Sequence, residues 1–365
     1  MKIADFEFNR RELAGSMGDF GTLVPLAVGY IMVNGMDPAG LLIMMGLANI
    51  VTGIIYRLPM PIEPKKLIAV VAIAQKWSPS LIYASGFGTG LAWLLMYITG
   101  TIDKISKITP KSVVRGIQVA LGIMLAYEGY KMVSTGWLLG IIAVLIVIFL
   151  RENKHAPAAI VLMALGVFVV GIKGELLNSL DFGISLPPMA TFTLSEVWES
   201  LVLAGFAQIP LTIANAVIAT AALIKSYWPD RPVPERKLGL NMGIMNVTVT
   251  FFGGMPMCHG AGGLAGQYYF GARTGGTNII EGAIEISLGL FLAKSIAKFF
   301  NVFPLSILGA MMFLIGLELT KFVKDIKKDE ILVMAITAGL SLIMNMAVGF
   351  LSGLVVYHLS QRFKK

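Results

Sequence analysis

Apolar runs long enough to cross a membrane follow one another from one end of the chain to the other. Inside a bilayer every backbone N–H and C=O must be paired within protein, so a chain of this kind has two choices, a helical bundle or a closed β-barrel. The runs are continuous and do not alternate apolar with polar residues, which selects helices. Only 14% of the residues are charged and 56% are hydrophobic, too few charges to cover a water-facing surface. The chain reads as an all-α polytopic membrane protein.

Fourteen segments are expected, near residues 13–32, 39–57, 62–78, 80–101, 112–132, 135–150 and 156–173, then 199–226, 237–254, 258–271, 278–299, 304–321, 329–345 and 347–361. The basic residues test that count. Arg10 and Arg11; Lys104, Lys107 and Lys111; Arg151 and Lys154; Lys225, Arg231, Arg236 and Lys237; Lys321, Lys324, Lys327 and Lys328; and Arg362, Lys364 and Lys365 all fall on one side of the membrane if the segments are threaded in order. The positive-inside rule makes that side cytoplasmic, with both termini inside a cell membrane. It also accounts for the net charge of +8 without nucleic acid as a partner. The N-terminus has acidic residues among its basic ones and no small-residue cleavage site, so no signal peptide is expected. The single cysteine excludes an internal disulfide.

The polar stretch 174–198 holds Glu175, Asp181 and Glu196, has no basic residue, and is placed outside. It divides the chain into 1–173 and 199–365, and the two halves are alike. Twenty-six residues from Met45 align without gaps to those from Met242, with Met45/Met242, Gly46/Gly243, Asn49/Asn246, Pro59/Pro256, Met60/Met257 and Leu67/Leu264 identical. Ala14, Gly15 and Thr22 match Ala204, Gly205 and Thr212 at a slightly shorter offset. An odd number of segments per half turns the second copy upside down, the 7+7 inverted repeat of secondary transporters. Short, Pro/Gly-interrupted segments at matching places in the halves mark the binding site of such proteins, and here these are the third and the tenth.

In RLPMPIEPKKLIAV, Pro59, Pro61 and Pro64 hold the chain extended until a helix can start after Pro64. In GGMPMCHGAGGLAGQ, Pro256 does the same before Gly260, Ala261, Gly262 and Gly263. Each segment is thus expected to be half strand and half helix, with two helix N-termini facing each other near the midplane. Free N–H groups and the positive end of the helix dipole make such a place an anion site. Asp19 and Glu63 are functional candidates because carboxylates at membrane depth are costly. Gln208, Thr212 and Asn215 share one helical face and are expected to line the same pocket. Thr22, Lys65, Lys66 and His259 complete the candidate set. Lys65 and Lys66 fit either solvation or ligand contact. Asn49 and Asn246 fit helix–helix glue or support of the site, Arg273 an interfacial anchor or a gate contact, and Glu281, Glu285, Lys294 and Glu318 interfacial or paired positions.

Cys258 and His259 are too few for a metal site, and no second Cys/His cluster exists. No G-x-x-x-x-G-K-[ST], H-E-x-x-H or G-x-S-x-G occurs, which argues against ATP hydrolysis and against a membrane hydrolase. No cofactor is implied, and no chemistry on the substrate.

GSMGDFGTLVPL, LPMPIEPKKLIAVVAIA and FGGMPMCHGAGGLAGQYYFGARTGG resemble the molybdate transporters related to the sulfate permeases. The resemblance implies secondary active transport of a tetrahedral oxyanion, molybdate or sulfate, by alternating access. It implies the 7+7 fold shared with uracil permeases, with a core of segments 1–4 and 8–11 and a gate of segments 5–7 and 12–14. A coupling proton or sodium ion and a homodimer belong to the same expectation, and no STAS domain does. The family motif usually reads P-V-Q-P-M-K where this chain has P-I-E-P-K-K. Glu63 therefore either pairs with a lysine or takes part in proton coupling. Sulfate or bicarbonate transport, a nucleobase carrier of related fold and a passive anion channel are the alternatives.

Overall fold

Proline and small capping residues set where the helices begin. Asp37 accepts from the N–H groups of Ala39 and Gly40 ahead of Pro38, and Ser78 accepts from Leu81 ahead of Pro79. The computed structural model describes residues 2–3, 5–150, 158–320, 323 and 326–363. Arg151, Lys154, Lys321, Lys324, Lys364 and Lys365 of the basic clusters lie outside the described residues.

A helix lies within every apolar segment named above. In chain order they are α1 (Arg10–Gly15), α2 (Phe20–Met32), α3 (Pro38–Tyr56), α4 (Lys66–Ala74), α5 (Pro79–Thr99), α6 (Ile102–Ile108), α7 (Lys111–Val133), α8 (Trp137–Leu150), α9 (Ala158–Ile172) and α10 (Glu175–Asn178). There follow α11 (Leu194–Tyr227), α12 (Glu235–Val249), α13 (Ala261–Tyr269), α14 (Gly276–Val302), α15 (Leu305–Thr320), α16 (Ile331–Ile343) and α17 (Met346–Phe363). Among the described residues, α3, α5 and α11 are each long and apolar enough to cross a membrane alone, and α14 and α15 form a pair bent by 95° at Phe303–Pro304.

The first segment is not one helix. It breaks at residues 16–19, and Asp19 sits at the start of α2 instead of in mid-helix. The break brings Gly18 so close to α13 that a Cβ there would collide with the Gln267 backbone. In α11 two π-helical stretches, Leu201–Gly205 and Ile213–Ile218, flank a segment containing Pro210. Proline removes one backbone donor, and widened turns absorb the mismatch.

Helices pair where glycine lets backbones touch. Gly46 of α3 meets Gly282 of α14, and Gly129 of α7 meets Gly309 of α15. Contacts at the helix ends define two poles. At one, Arg57 pairs with Asp5 at 2.5 Å, Arg231 donates to the Arg57 carbonyl at 3.3 Å, Arg236 donates to the Tyr97 carbonyl at 3.1 Å, and His358 of α17 reaches the Ile108 carbonyl. At the other, the strap 179–193 is tied down. Ser185 and Ala190 donate their N–H groups to the carbonyls of Leu290 and Phe251, and Asp181 pairs with Lys298 at 2.8 Å. That hydrogen bond and the ammonium charge behind it hold the half-buried Asp181 carboxyl below the usual range.

Candidate functional site

The two proline-broken stretches meet. Strand β1 (Lys2–Ile3) pairs with β2 (Phe6–Glu7) near the N-terminus, whereas β3 (Glu63–Pro64) pairs antiparallel with β4 (Met257–Cys258), joining the two halves of the chain. Glu63 lies opposite Cys258, and Lys65 donates its N–H to the Pro256 carbonyl at 2.8 Å. Each strand then enters a helix of nine residues, α4 or α13. These run to opposite poles. The C-terminus of α4 meets Asn34, whose amide donates to the Ala72 carbonyl, and α13 ends just ahead of Arg273, whose N–H donates to Glu12.

Extended backbone at this depth needs partners, and two asparagines supply them. Asn246 accepts from the Met257 N–H at 2.8 Å and donates to the Met257 carbonyl at 2.8 Å. Asn278 holds Met60 in the same way, at 2.9 and 2.6 Å. Met60 and Met257 are the matched residues of the two halves, yet the clamps are not matched. Asn49, the counterpart of Asn246, accepts from Asn278 at 2.9 Å and donates to Glu285 at 2.9 Å.

The two helix N-termini also differ. Gln208 accepts from the N–H groups of Leu67 and Ile68 at 3.0 and 3.2 Å and donates to Thr212 at 2.7 Å, so a neutral amide caps α4. At α13 the bare faces of Gly260 and Gly263 are filled by the Glu63 carboxylate, where a Cβ on either glycine would strike it. Glu63 pairs with Lys66 at 3.3 Å. Asp19 lies beside Gly263, with both carboxylate oxygens buried and without a hydrogen-bond partner.

A cavity of about 590 Å³ opens in front of these helix starts. Lys66 from α4, Cys258, Ala261 and Gly262 from β4 and α13, and Gln208, Thr212 and Asn215 from α11 line one wall. Lys111, Arg115 and Gln118 of α7 line the other, with Arg115 donating to Gln118 at 2.7 Å. None of the described residues lining it is acidic, and three are cationic. It reaches the surface at exposed Lys111, just after the Ile108 carbonyl that marks the pole holding the N-terminus.

Several candidate residues stand elsewhere. Lys65 is fully buried behind the wall and donates to Thr89 at 2.6 Å. His259 donates from Nδ1 to the Pro61 carbonyl at 3.2 Å, and its Nε2 lies 3.0 Å from the Asn241 amide, so it braces the strand pair from behind. Thr22 sits in the first turn of α2, and Pro59 lies just ahead of the clamped Met60. Arg273, exposed beyond the C-terminus of α13, donates to the Tyr268 and Ala272 carbonyls while stacking on Tyr268. Glu281 and Glu285 are buried and bonded to amides, not interfacial.

A family profile described as "Molybdate transporter of MFS superfamily" matches residues 11–125 and 200–319. The chain belongs to that family. Molybdate transporter 1 of Arabidopsis thaliana is 31% identical over 404 residues, covering 96% of this chain and 88% of the relative. Among solved structures, the transmembrane domain of a cyanobacterial bicarbonate transporter, BicA, superposes with a TM-score of 0.69 at 18% identity, covering 95% of this chain and 96% of that one. The murine Slc26a9 anion transporter in its inward-facing state gives 0.75 at 12% identity, covering 100% of this chain and 70% of that one. The fold of this molybdate transporter family member is therefore that of the BicA transmembrane domain and of the matched 70% of Slc26a9.

Sequence reasoning missed the α7 side of the cavity. Lys111 reads as one more topology charge, and Arg115 and Gln118 lie inside an apolar run. Their spacing from Lys111, four and seven residues, is the signal that could have found them, since it puts all three on one helical face.

Proposed function

We propose that this protein is a secondary active transporter of molybdate, a tetrahedral dianion, working by alternating access. The observation that carries the reading is an acid-free cavity with Lys66, Lys111 and Arg115 on its walls, placed at the start of α13. The positive end of a helix, exposed backbone N–H groups and fixed cations suit an oxyanion better than a flat neutral base. Membership of the molybdate transporter family supports the choice of molybdate. In this reading Lys66, Ala261, Gly262, Gln208, Thr212 and Asn215 hold the anion, Arg115 and Lys111 guide it from the mouth, and Asp19, Glu63 and His259 stand behind.

The same reading takes the fourteen segments as a 7+7 inverted repeat. The opposite directions of α4 and α13 support it, as does the glycine packing of α3 on α14 and of α7 on α15, one pair in each proposed body. Core segments 1–4 and 8–11 would move against gate segments 5–7 and 12–14. The pole gathering Arg57, Arg231 and Arg236 is assigned to the cytoplasm of a cell membrane, with both termini there, so the cavity faces inward.

Uptake of radiolabelled molybdate into proteoliposomes, with sulfate and uracil as competitors, tests the assignment. Saturable uptake inhibited by unlabelled molybdate and unaffected by uracil is expected. Competition by uracil with no binding of molybdate or sulfate overturns it.

A further inference from the structure

On the far side of β3 from the cavity, a second set of polar groups lies buried with its valences unmet. Glu281 and Glu285 sit one turn apart on the same face of α14, and are 2% and 5% exposed. Gln267 donates to one Glu281 oxygen at 3.2 Å and Asn49 to one Glu285 oxygen at 2.9 Å. The second oxygen of each carboxylate has no hydrogen-bond partner, and neither has Gln267 Oε1 nor either oxygen of Asp19. Gln267 and Asp19 are themselves 0% and 4% exposed. Both glutamates line a groove of about 520 Å³ whose other walls are mostly apolar, including Phe20, Val24, Met45 and Phe300.

A buried polar oxygen without a partner carries a desolvation penalty and calls for an explanation. The groups facing the pair offer none. From α3 comes Asn49, from α13 Gln267, from the start of α2 Asp19, from β3 Glu63 already paired with Lys66, and from α1 Glu12, which accepts from Arg273 and Thr274. Asp181 lies at the far end of α14 and is held by Lys298. Among the described residues no cation pairs with either glutamate, and no three His, Cys, Asp or Glu side chains are arranged to hold a metal ion. A proton meets the need. It forms one O–H bond on a carboxylate, supplies a donor to oxygens that have none, and removes the repulsion between neighbouring charges.

We infer that Glu281 and Glu285, with Asp19 and Gln267 beside them, form a proton-binding site separate from the anion cavity. The inference rests on the transporter reading. The site is joined to the anion site through protein at both ends. Glu285 reaches the Met60 peptide through Asn49 and Asn278, and Glu281 reaches α13 through Gln267. A proton taken from one side is released, by breaking the same O–H bond, to the other side in the same cycle that carries the anion.

The test uses the full chain in liposomes that enclose a pH dye. Molybdate added outside is expected to acidify the interior of wild-type vesicles. Glu281→Gln and Glu285→Gln, which keep the shape and lose the titration, are expected to cut that acidification about tenfold while exchange of labelled molybdate at equal concentrations persists. Retained acidification in both variants overturns the inference, as does a sodium gradient replacing the proton gradient. Dicyclohexylcarbodiimide, which adds to protonated carboxyls in apolar surroundings, is expected to label Glu281 or Glu285 of the wild-type protein. Absence of label on both overturns the inference even if the variants fail to fold. Loss of molybdate binding by the wild type would sink the functional reading instead, and binding with proton-independent transport would sink this inference alone.

Discussion

Lys65 and Lys66 are neighbours in sequence with opposite fates. Successive residues at a helix start point about 100° apart, so only one of the two can face the cavity. The rotation of α4, fixed by the Lys65–Pro256 hydrogen bond, chooses Lys66. Lys66→Met is expected to weaken molybdate binding about 10- to 100-fold, the equivalent of one charge-assisted hydrogen bond of ~1.5–3 kcal/mol. Lys65→Met removes a buried ammonium whose partner is the Thr89 hydroxyl. Its binding is expected to stay within about twofold, since Lys65 does not line the cavity. Equilibrium binding of labelled molybdate to both purified variants decides the matter, and equal losses would refute the assignment. The motif was legible as a proline-broken helix start. Which lysine faces the cavity was not, because that depends on a strand pairing between residues nearly two hundred positions apart. Glu63 shows the same limit. Its departure from the family motif and a lysine partner are visible in the sequence, but the choice of Lys66 over Lys65 and the fit against Gly260 and Gly263 come only with the fold.

The elements themselves were largely readable. Proline and glycine mark both broken segments, and α4 and α13 begin within two residues of the expected starts. What sequence symmetry misjudged is how the strands are held. It pairs Asn49 with Asn246 and suggests equal roles, yet Asn246 clamps its strand directly whereas Asn49 acts through Asn278. The difference arises because α14 brings a third asparagine to the first-half strand. Asn246→Ala and Asn278→Ala should each strand one N–H and one C=O in the membrane interior, at about 1–3 kcal/mol for each group left unpaired. Both variants are expected to unfold at lower temperature in detergent and to bind molybdate more weakly, since the clamped strands set the spacing of the helix starts. Asn49→Ala, one bond removed from the backbone, is expected to cost less than Asn278→Ala. A thermal-unfolding series with the order reversed would remove the clamp explanation.

At the scale of the whole molecule, backbones touch through glycine where α3 meets α14 and where α7 meets α15, while the cavity separates the wall carried by α4, α11 and α13 from the wall carried by α7. In the proposed core-and-gate reading these two packings belong to two stiff bodies, with the cavity on the seam between them. The single cysteine reports on that seam. Cys258 is 4% exposed, lies in β4 opposite Glu63 and lines the cavity beside Lys66. A bound anion at the helix starts would stand between its thiol and the mouth at Lys111. A small charged methanethiosulfonate added from the pole of the N-terminus should therefore modify Cys258 slowly, and molybdate should slow it further, in proportion to occupancy of the site. The same reagent added from the strap side should react only when the bodies have shifted to open the cavity that way. Peptide mass analysis of inside-out and right-side-out vesicles reads both rates. Modification from the strap side at the same rate, with no protection by molybdate, would mean that the cavity is a through-passage, and alternating access would give way to a channel.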